Sequence, residues 1–209
     1  MTIYHGSECI IPSPKFGGGY EHNDYGRGFY TTTNKELAGE WAVLATGQDG
    51  YINEYTLNTA DLNILKLDDL DIKHWIAILM QYRKGRFEEI AIERKNKFIQ
   101  IFEINTSPYD IITGWRADDA FFSYIDAFLN VGLSLENLQK AMKFGDLGTQ
   151  ICIKSKIAFD KIKFVNSYPA IASKYYSSAK NRDTNARNAF RQMPDKTKGS
   201  LIFDFIGRE

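Results

Sequence analysis

Two short segments near the start of the chain carry residue types that could bind a flat ligand. The first is IYHGS at Ile3 to Ser7, where a glycine stands between a histidine and a serine. The second is GRGFYTTT, residues 26–33, where glycines precede an aromatic pair. The His and Ser side chains offer polar groups, and a glycine lets backbone approach a planar ligand closely. These segments are candidates for opposite walls of a nucleotide pocket, or else they are ordinary strand and turn residues.

The ordinary interpretation has weight at each position taken singly. A histidine in a strand is most often packed, and Tyr30 alone is more often a core residue than a site residue. Gly6, Gly26 and Gly28 favour a ligand, because a glycine at the end of a strand leaves the backbone amide and carbonyl accessible. His5 and Tyr30 are therefore the first candidates for a binding site.

Other chemistry-bearing residues support weaker hypotheses. Asp118 and Asp119 are adjacent, so on a helix their side chains point about 100° apart and cannot share a proton as a facing pair. A helix N-terminus, where carboxylates meet free amide groups, is their simpler role. Cys9 or Cys152 as a nucleophile would need a histidine and an Asn or Asp brought near by the fold.

Several function classes are excluded by motif and composition. The sequence has no GxxxxGK[ST], no GxGxxG that opens a helix after a strand, and no GxSxG, which argues against P-loop, Rossmann and serine-hydrolase chemistry. Lys plus Arg and Asp plus Glu both number 26, so net charge indicates neither nucleic acid nor membrane as a partner. The two cysteines lie far apart without a His at ligand spacing, and we expect neither a disulfide nor a metal site.

The element pattern predicts one α+β domain over residues 1–209. Strand-forming residues occur early, in MTIYHGS, GFYTTT and the adjacent pair YINEYTLN and LNILKLD, and again in the β-rich segment from Thr149 to Tyr168. Helical spacing predicts several helices between them, one capped by Asn34, and another in the polar C-terminal tail. Regular βαβ alternation is absent, which favours α+β over a doubly wound sheet. Without a leader-like start or a long apolar run, we expect a cytoplasmic protein that does not enter a membrane.

Four motifs in this order resemble those of the DUF3990 family. They are YHGS at Tyr4 to Ser7, DYGRGFYTT followed by KELAGEWA, YDIITGWRADD at Tyr109 to Asp119, and LGTQICIKSKIAF at Leu147 to Phe159. That family is itself similar to ADP-ribosyltransferases of the diphtheria-toxin and poly-ADP-ribose-polymerase lineage. The resemblance runs from about residue 3 to residue 168 and leaves the helical tail uncovered. It implies a split antiparallel β-sheet with flanking helices and a helical insertion.

The resemblance also implies roles for residues around NAD. His5 would hydrogen-bond a ribose hydroxyl, the Gly6 backbone would hold the nicotinamide carboxamide, and Tyr30 would stack on the nicotinamide ring. Gln150 would hydrogen-bond the nicotinamide ribose at the reacting face. Ser7, Gly28 and Thr31 belong to the same motifs and are predicted to contact the cofactor, while the glycine-rich loop 16–25 would cover the adenosine side. Asp119 is the carboxylate predicted to act as a general base.

Gln150 stands where the lineage has Glu, Asp or Gln. A neutral amide orients the ribose by hydrogen bonds but brings no charge to the positive ribose that forms when the glycosidic bond of NAD breaks. The resemblance therefore implies single ADP-ribose transfer, with NAD as the donor and an unidentified macromolecule, protein or nucleic acid, as the acceptor. Some transferases of this lineage act as toxins or effectors, and the resemblance makes such a role a candidate here as well. The alternatives are a non-catalytic NAD- or ADP-ribose-binding or protein-interaction module of the same fold, and an NAD glycohydrolase.

Overall fold

The computed structural model describes residues 1–85, 88–117, 120–144 and 148–207, and it confirms a mixed α+β fold. The strands are β1 (Thr2–Ser7), β2 (Phe29–Thr31), β3 (Gly50–Leu57), β4 (Ile64–Lys66), β5 (Ile111–Trp115), β6 (Thr149–Ile153) and β7 (Ile162–Ala170). The helices are α1 (Lys35–Leu44), α2 (Ile72–Tyr82), α3 (Glu89–Phe102), α4 (Ala120–Leu129), α5 (Leu135–Ala141), α6 (Lys156–Asp160), α7 (Ala172–Gln192) and α8 (Phe203–Ile206), with a 3₁₀ turn at Leu67–Asp69.

The strands form two sheets that meet at one point. One sheet has the order β1-β3-β7 and is antiparallel, and the other has the order β2-β6-β5-β4. Tyr4 of β1 and Thr32, next to β2, exchange backbone hydrogen bonds of 2.7 and 2.9 Å, and this pair joins the two sheets. Beyond it the two strands diverge, which leaves space between the sheets.

Two features of the sheets depart from the sequence predictions. The second sheet is not wholly antiparallel, because β4 runs parallel to β5. The segments YINEYTLN and LNILKLD were expected as adjacent strands, but β3 and β4 belong to different sheets. Two alternating segments in a row predict two strands. Which strands they pair with depends on contacts with segments that are distant in sequence.

Helix α1 packs directly on the sheet that contains β1. Asn34 caps it, since the side-chain oxygen accepts hydrogen bonds from the N–H groups of Glu36 (3.0 Å) and Leu37 (3.2 Å). A Cβ on Gly6 would lie only 1.9 Å from the carbonyl oxygen of Ala38. The glycine of the HGS triplet is therefore required by the close approach of a helix.

The helices between β4 and β6 build the largest hydrophobic cluster. Trp75 of α2, Phe98 of α3 and Phe128 of α4 are all essentially buried in it. Trp75 also reaches toward the loop before β2, where its Nε1 donates a 3.0 Å hydrogen bond to the Tyr25 hydroxyl. The Tyr25 hydroxyl donates in turn to the carbonyl oxygen of Trp115 at the end of β5. The insertion thus anchors the loop that leads into β2.

The polar tail that the motif resemblance leaves uncovered packs against α1 as helix α7. The ring of Tyr175 occupies the place where a side chain on Gly39 would stand, with a ring carbon 2.6 Å from the ideal Cβ position. Glu40 is buried and accepts a 2.6 Å hydrogen bond from Arg182 of α7. Since α1 in turn packs on β1, the tail supports the N-terminal strand from behind.

The contact between Gly6 and α1 generates a stability prediction. Gly6→Ala should lower the free energy of unfolding by about 1–3 kcal/mol, the usual cost of overpacking, because a backbone carbonyl cannot move aside as a side-chain tip would. Chemical denaturation of the variant and the wild type measures this difference. Gly18→Ala is the matched control, since its Cβ would meet the Lys15 carbonyl at 3.2 Å in an exposed loop. Equal losses in the two variants would contradict the packing role of Gly6.

Candidate functional site

A cavity of about 610 Å³ opens where the two sheets diverge. His5 of β1, Tyr30 of β2 and Gln150 of β6 all line it, together with Gly28. Its other lining residues are Ile11, Pro14, Lys15, Gly18, Gly19, Tyr20, Asn23, Asp24, Phe29, Trp41, Arg83, Arg116 and Ala117. The structure therefore brings together the three residues that were predicted to share one cleft, although they lie far apart in sequence.

Strand register explains how Tyr30 and Gln150 come to one wall. Tyr30 lies opposite Cys152 in the antiparallel β2–β6 pair, and Gln150 is two residues before Cys152 on the same strand. Side chains two residues apart on a strand point to the same face. His5 reaches across the gap between the sheets, and its Nδ1 is 2.7 Å from the carbonyl oxygen of Tyr30.

The contact with Tyr30 defines the protonation of His5. A carbonyl oxygen only accepts hydrogen bonds, so Nδ1 carries the proton and donates it, and Nε2 of the neutral ring is left with its lone pair. Burial lowers the pKa of His5 below its ordinary value, against the opposing effect of the hydrogen bond to Tyr30. His5 is thus a neutral imidazole with an acceptor nitrogen at Nε2.

Tyr30 is held by its hydroxyl and contributes its ring to the cavity. The hydroxyl accepts a 2.8 Å hydrogen bond from the N–H of Tyr25 and donates a 2.7 Å bond to the carbonyl oxygen of Gly26. Gly26 has φ +79°, a left-handed conformation that favours glycine. Burial raises the pKa of Tyr30 well above the ordinary range, so the hydroxyl stays protonated and available for both bonds.

Gln150 is buried and its amide nitrogen is fully engaged. Nε2 donates a 2.6 Å hydrogen bond to Oδ2 of Asp24 and a longer one of 3.3 Å to the carbonyl oxygen of Trp115. Both partners are acceptors, and this defines which end of the amide is the nitrogen. The carbonyl oxygen Oε1 is therefore the end of Gln150 that is free of these two bonds.

Asp24 is the functional candidate that sequence reasoning missed. Its Oδ2 accepts the bond from Gln150 and a 2.9 Å bond from the N–H of Ala117, and its Oδ1 lies 3.3 Å from Nη1 of Arg83. Burial raises the pKa of this carboxyl, and Arg83, the Ala117 N–H and Gln150 oppose that rise. The sequence signal was its place as the first residue of the DYGRGFYTT motif, but nothing local distinguishes it from a turn residue.

Trp41 of α1 is a second missed residue, and it adds an aromatic side chain to the lining. The guanidinium of Arg116 lies 5.2 Å from the centre of its ring, within cation–π distance. A second cavity of about 550 Å³ adjoins the first, and the two share Trp41, Arg83, Arg116 and Ala117. Helical spacing in KELAGEWAVL predicts a core tryptophan, so the sequence pattern alone could not assign Trp41 to a site.

Three predicted site residues are outside the cavity lining. Gly6, Ser7 and Thr31 are not in the lining of the 610 Å³ cavity. The Ser7 hydroxyl donates to the carbonyl oxygen of Cys9 (2.7 Å), and the Thr31 hydroxyl donates to that of Ile151 (3.3 Å). Their cofactor contacts stay predictions. Asp119, the predicted general base, lies outside the described residues.

Gly28 does line the cavity, but its missing side chain also serves packing. A Cβ there would lie 2.4 Å from Sγ of Cys152. Burial raises the pKa of that thiol to about 12, so Cys152 stays protonated near neutral pH.

In the described part of the chain, no three His, Cys, Asp or Glu side chains are grouped to hold a metal ion. None of the described helices is both long and apolar enough to cross a membrane.

Comparison with known proteins gives one match. A family model described as "Protein of unknown function (DUF3990)" matches residues 1–164, more than three quarters of the chain. The match includes β1 to β6, and so it spans the strands that carry His5, Tyr30 and Gln150. Neither the curated proteins nor the solved structures gave a match.

The lowered pKa of His5 generates a prediction about stability and pH. Below about pH 6.5, the ordinary pKa of a histidine, the unfolded chain binds a proton on this residue before the folded protein does, so the free energy of unfolding falls as the pH falls. The slope contributed by one proton is at most about 1.4 kcal/mol per pH unit. Denaturation curves between pH 7 and pH 5 should show a smaller loss in His5→Asn. An identical slope in both proteins would mean that His5 titrates normally in the fold.

Proposed function

Because the chain belongs to the DUF3990 family, whose description assigns no activity, we propose its function from the cavity: binding of NAD and transfer of one ADP-ribose to an acceptor macromolecule. The observation that carries the proposal is the meeting of His5, Tyr30 and Gln150, from three different strands, on one cavity. Those are the residues to which the resemblance to ADP-ribosyltransferases assigns NAD contacts. The cavity volume of about 610 Å³ lies within the range common for small-molecule sites.

The fold supports the same proposal. Two sheets that share a single bridge and then diverge provide a cleft between β1 and β2, as a split-sheet ADP-ribosyltransferase fold would need. The cleft is covered on one side by α1 and is followed in sequence by a helical insertion, α2 to α5. We assign the chain to an ADP-ribosyltransferase-like fold as part of this proposal.

The nicotinamide end of NAD would lie near Tyr30 and Trp41. Both aromatic side chains line the cavity, and a flat nicotinamide ring can stack on either. The backbone N–H and C=O of Tyr4 face Thr32. Those of Gly6, two residues further along the strand, face the same side. That is the side from which a carboxamide could pair with them.

His5 and the cationic residues would bind the rest of the dinucleotide. Nε2 of His5 is positioned as an acceptor for a ribose hydroxyl, because Nδ1 is used by Tyr30. Lys15, Arg83 and Arg116 line the cavity and favour an anionic ligand such as a pyrophosphate. The loop with Gly18, Gly19 and Tyr20 forms the wall on which the adenosine side would rest.

The transfer itself breaks the bond between the ribose C1′ and the nicotinamide nitrogen. Nicotinamide leaves with the electron pair, and the acceptor forms a bond to C1′ and gives up a proton. The contribution of this chain is to hold the ribose while positive charge develops, through the acceptor atoms Nε2 of His5 and Oε1 of Gln150. If water takes the place of the macromolecule, the same site is an NAD glycohydrolase.

Nicotinamide release distinguishes the proposed activities. The purified protein is incubated with NAD labelled in the adenosine part, with and without a cell lysate. Transfer releases nicotinamide and labels a macromolecule, and hydrolysis releases nicotinamide without labelling. A binding module would bind NAD without releasing nicotinamide, which would contradict the proposed transferase.

Tyr30 provides a test of NAD binding. Tyr30→Ala should weaken NAD binding by about 1–3 kcal/mol, the scale of a lost aromatic stacking contact. Tyr30→Phe is the matched control, because it keeps the ring and removes only the hydroxyl bonds to Tyr25 and Gly26. Calorimetric titration with NAD measures both variants after each is shown to be folded. Unchanged affinity in folded Tyr30→Ala would assign Tyr30 to the core alone.

Gln150 provides a test of turnover. Gln150→Ala should slow nicotinamide release about ten- to a thousandfold, on the scale of a lost transition-state hydrogen bond. NAD affinity should change less, since the contribution of Gln150 grows as charge develops on the ribose. The rates are compared at NAD saturation. A variant that turns over like the wild type would remove Gln150 from the proposed site.

A further inference from the structure

The cavity contains a carboxylate, at a position to which the resemblance assigns no role. Among the described residues that line it, Asp24 carries the one carboxylate side chain. Asp24 precedes β2 in the chain, whereas Gln150 is on β6. The fold brings them together across the cavity wall, with 2.6 Å between Oδ2 of Asp24 and Nε2 of Gln150.

The contacts around Asp24 favour its ionised form and oppose the rise in its pKa that burial causes. Oδ2 accepts from two N–H groups, those of Gln150 and Ala117, and Oδ1 faces the guanidinium of Arg83. A proton on either oxygen would compete with one of these donors. The side chain is 9% exposed, and a buried carboxylate that accepts several hydrogen bonds is one that the protein can hold as an anion.

The same bonds determine what Gln150 presents to a ligand. Its amide nitrogen is committed to Asp24 and to the carbonyl oxygen of Trp115. Rotation of the amide by half a turn would place its oxygen against two acceptors, which is unfavourable. Asp24 therefore holds the amide nitrogen of Gln150 and leaves Oε1 as the acceptor end of the side chain, and an acceptor oxygen is what a carboxylate at this position would also offer.

We propose that Asp24 is the positioning residue of this site: its carboxylate orients the Gln150 amide toward the NAD ribose and supplies the negative charge one hydrogen bond behind it. The inference rests on the proposed function and gives a role to a residue to which the resemblance assigns none. It also gives the reason for a glutamine at position 150. A glutamate there would place a second carboxylate against Asp24, and two carboxylates at that distance cannot both ionise easily.

A purely structural role for Asp24 makes a different prediction. In that case Asp24 only connects the loop before β2 to Ala117, and its charge would matter for folding and not for turnover. A folded variant that lacks the charge but retains a side chain of the same shape distinguishes the positioning role from the structural role. Asp24→Asn is that variant, and Asp69→Asn is the matched control because Asp69 is exposed and is not among the lining residues.

The charge effect on turnover is the first measurement. Asp24→Asn should lower nicotinamide release at NAD saturation about ten- to a hundredfold, the scale of a hydrogen bond to a charged group. NAD affinity should stay within about threefold of the wild type, since the effect belongs to the reacting state. Asp69→Asn should match the wild type in both. Wild-type turnover in folded Asp24→Asn would overturn the proposal.

The exchanged pair is the second measurement, and its double variant restores to the pair the carboxylate that Asp24→Asn removes. Gln150→Glu brings two carboxylates together, whereas the double variant Asp24→Asn/Gln150→Glu retains one carboxylate and one amide in reversed order. The double variant should release nicotinamide faster than Gln150→Glu, by about tenfold for one restored charge interaction. Equal rates in these two variants would also overturn the proposal.

A titration without NAD separates the inference from the proposed function. Carboxyl carbon resonances of Gln150→Glu should show the new glutamate titrating at a higher pH than in the double variant, because Asp24 opposes its ionisation. Identical titrations would show that the two side chains do not interact, and the proposal would fall. If they do interact but the wild type releases no nicotinamide from bound NAD, the pair exists and the proposed transferase, with the role of Asp24 in it, is wrong.

Discussion

The buried carboxylate of Asp24 is the interaction on which the candidate site depends. It accepts hydrogen bonds from β6 through Gln150 and from the segment after β5 through Ala117, and it pairs with Arg83 at the end of α2. A charge removed from water is costly unless several donors satisfy it. The loop before β2, two strands of the second sheet and the helical insertion are therefore tied to one another at the wall of the cavity.

The cavity exists because the two sheets share a single pair of residues and then separate. The backbone bonds between Tyr4 and Thr32 join β1 to β2, and past this point the His5 side chain spans the gap to Tyr30. Helix α1 supports the divergent strand β1 from the opposite face, at a distance that only a glycine at position 6 permits. Helix α7 packs in turn on α1, so the C-terminal tail supports from behind the helix that packs on β1.

Polar groups at the cavity wall are directed by partners behind them. Tyr30 hydrogen-bonds the Tyr25–Gly26 segment through its hydroxyl, His5 donates through Nδ1 to a carbonyl, and Gln150 donates through its amide nitrogen. In each case the part that remains for a ligand is the ring or an acceptor atom. This arrangement suits a ligand that brings hydroxyl donors and a flat ring, and NAD has both.

Local sequence patterns predicted many of the elements, and the family resemblance nominated three of the residues that line the cavity. Alternation in YINEYTLN identifies β3, and the Asn34 cap before KELAGEWAVL identifies α1. Both signals depend only on residues that are close in sequence. The order of the motifs nominated His5, Tyr30 and Gln150 together. The tertiary structure alone decided that β3 and β4 enter different sheets, that Gly6 serves the packing of a helix, and that Trp41 and Asp24 join the lining. Each of these depends on a contact between segments distant in the chain, and a buried carboxylate acquires its role only from the donors that folding brings to it.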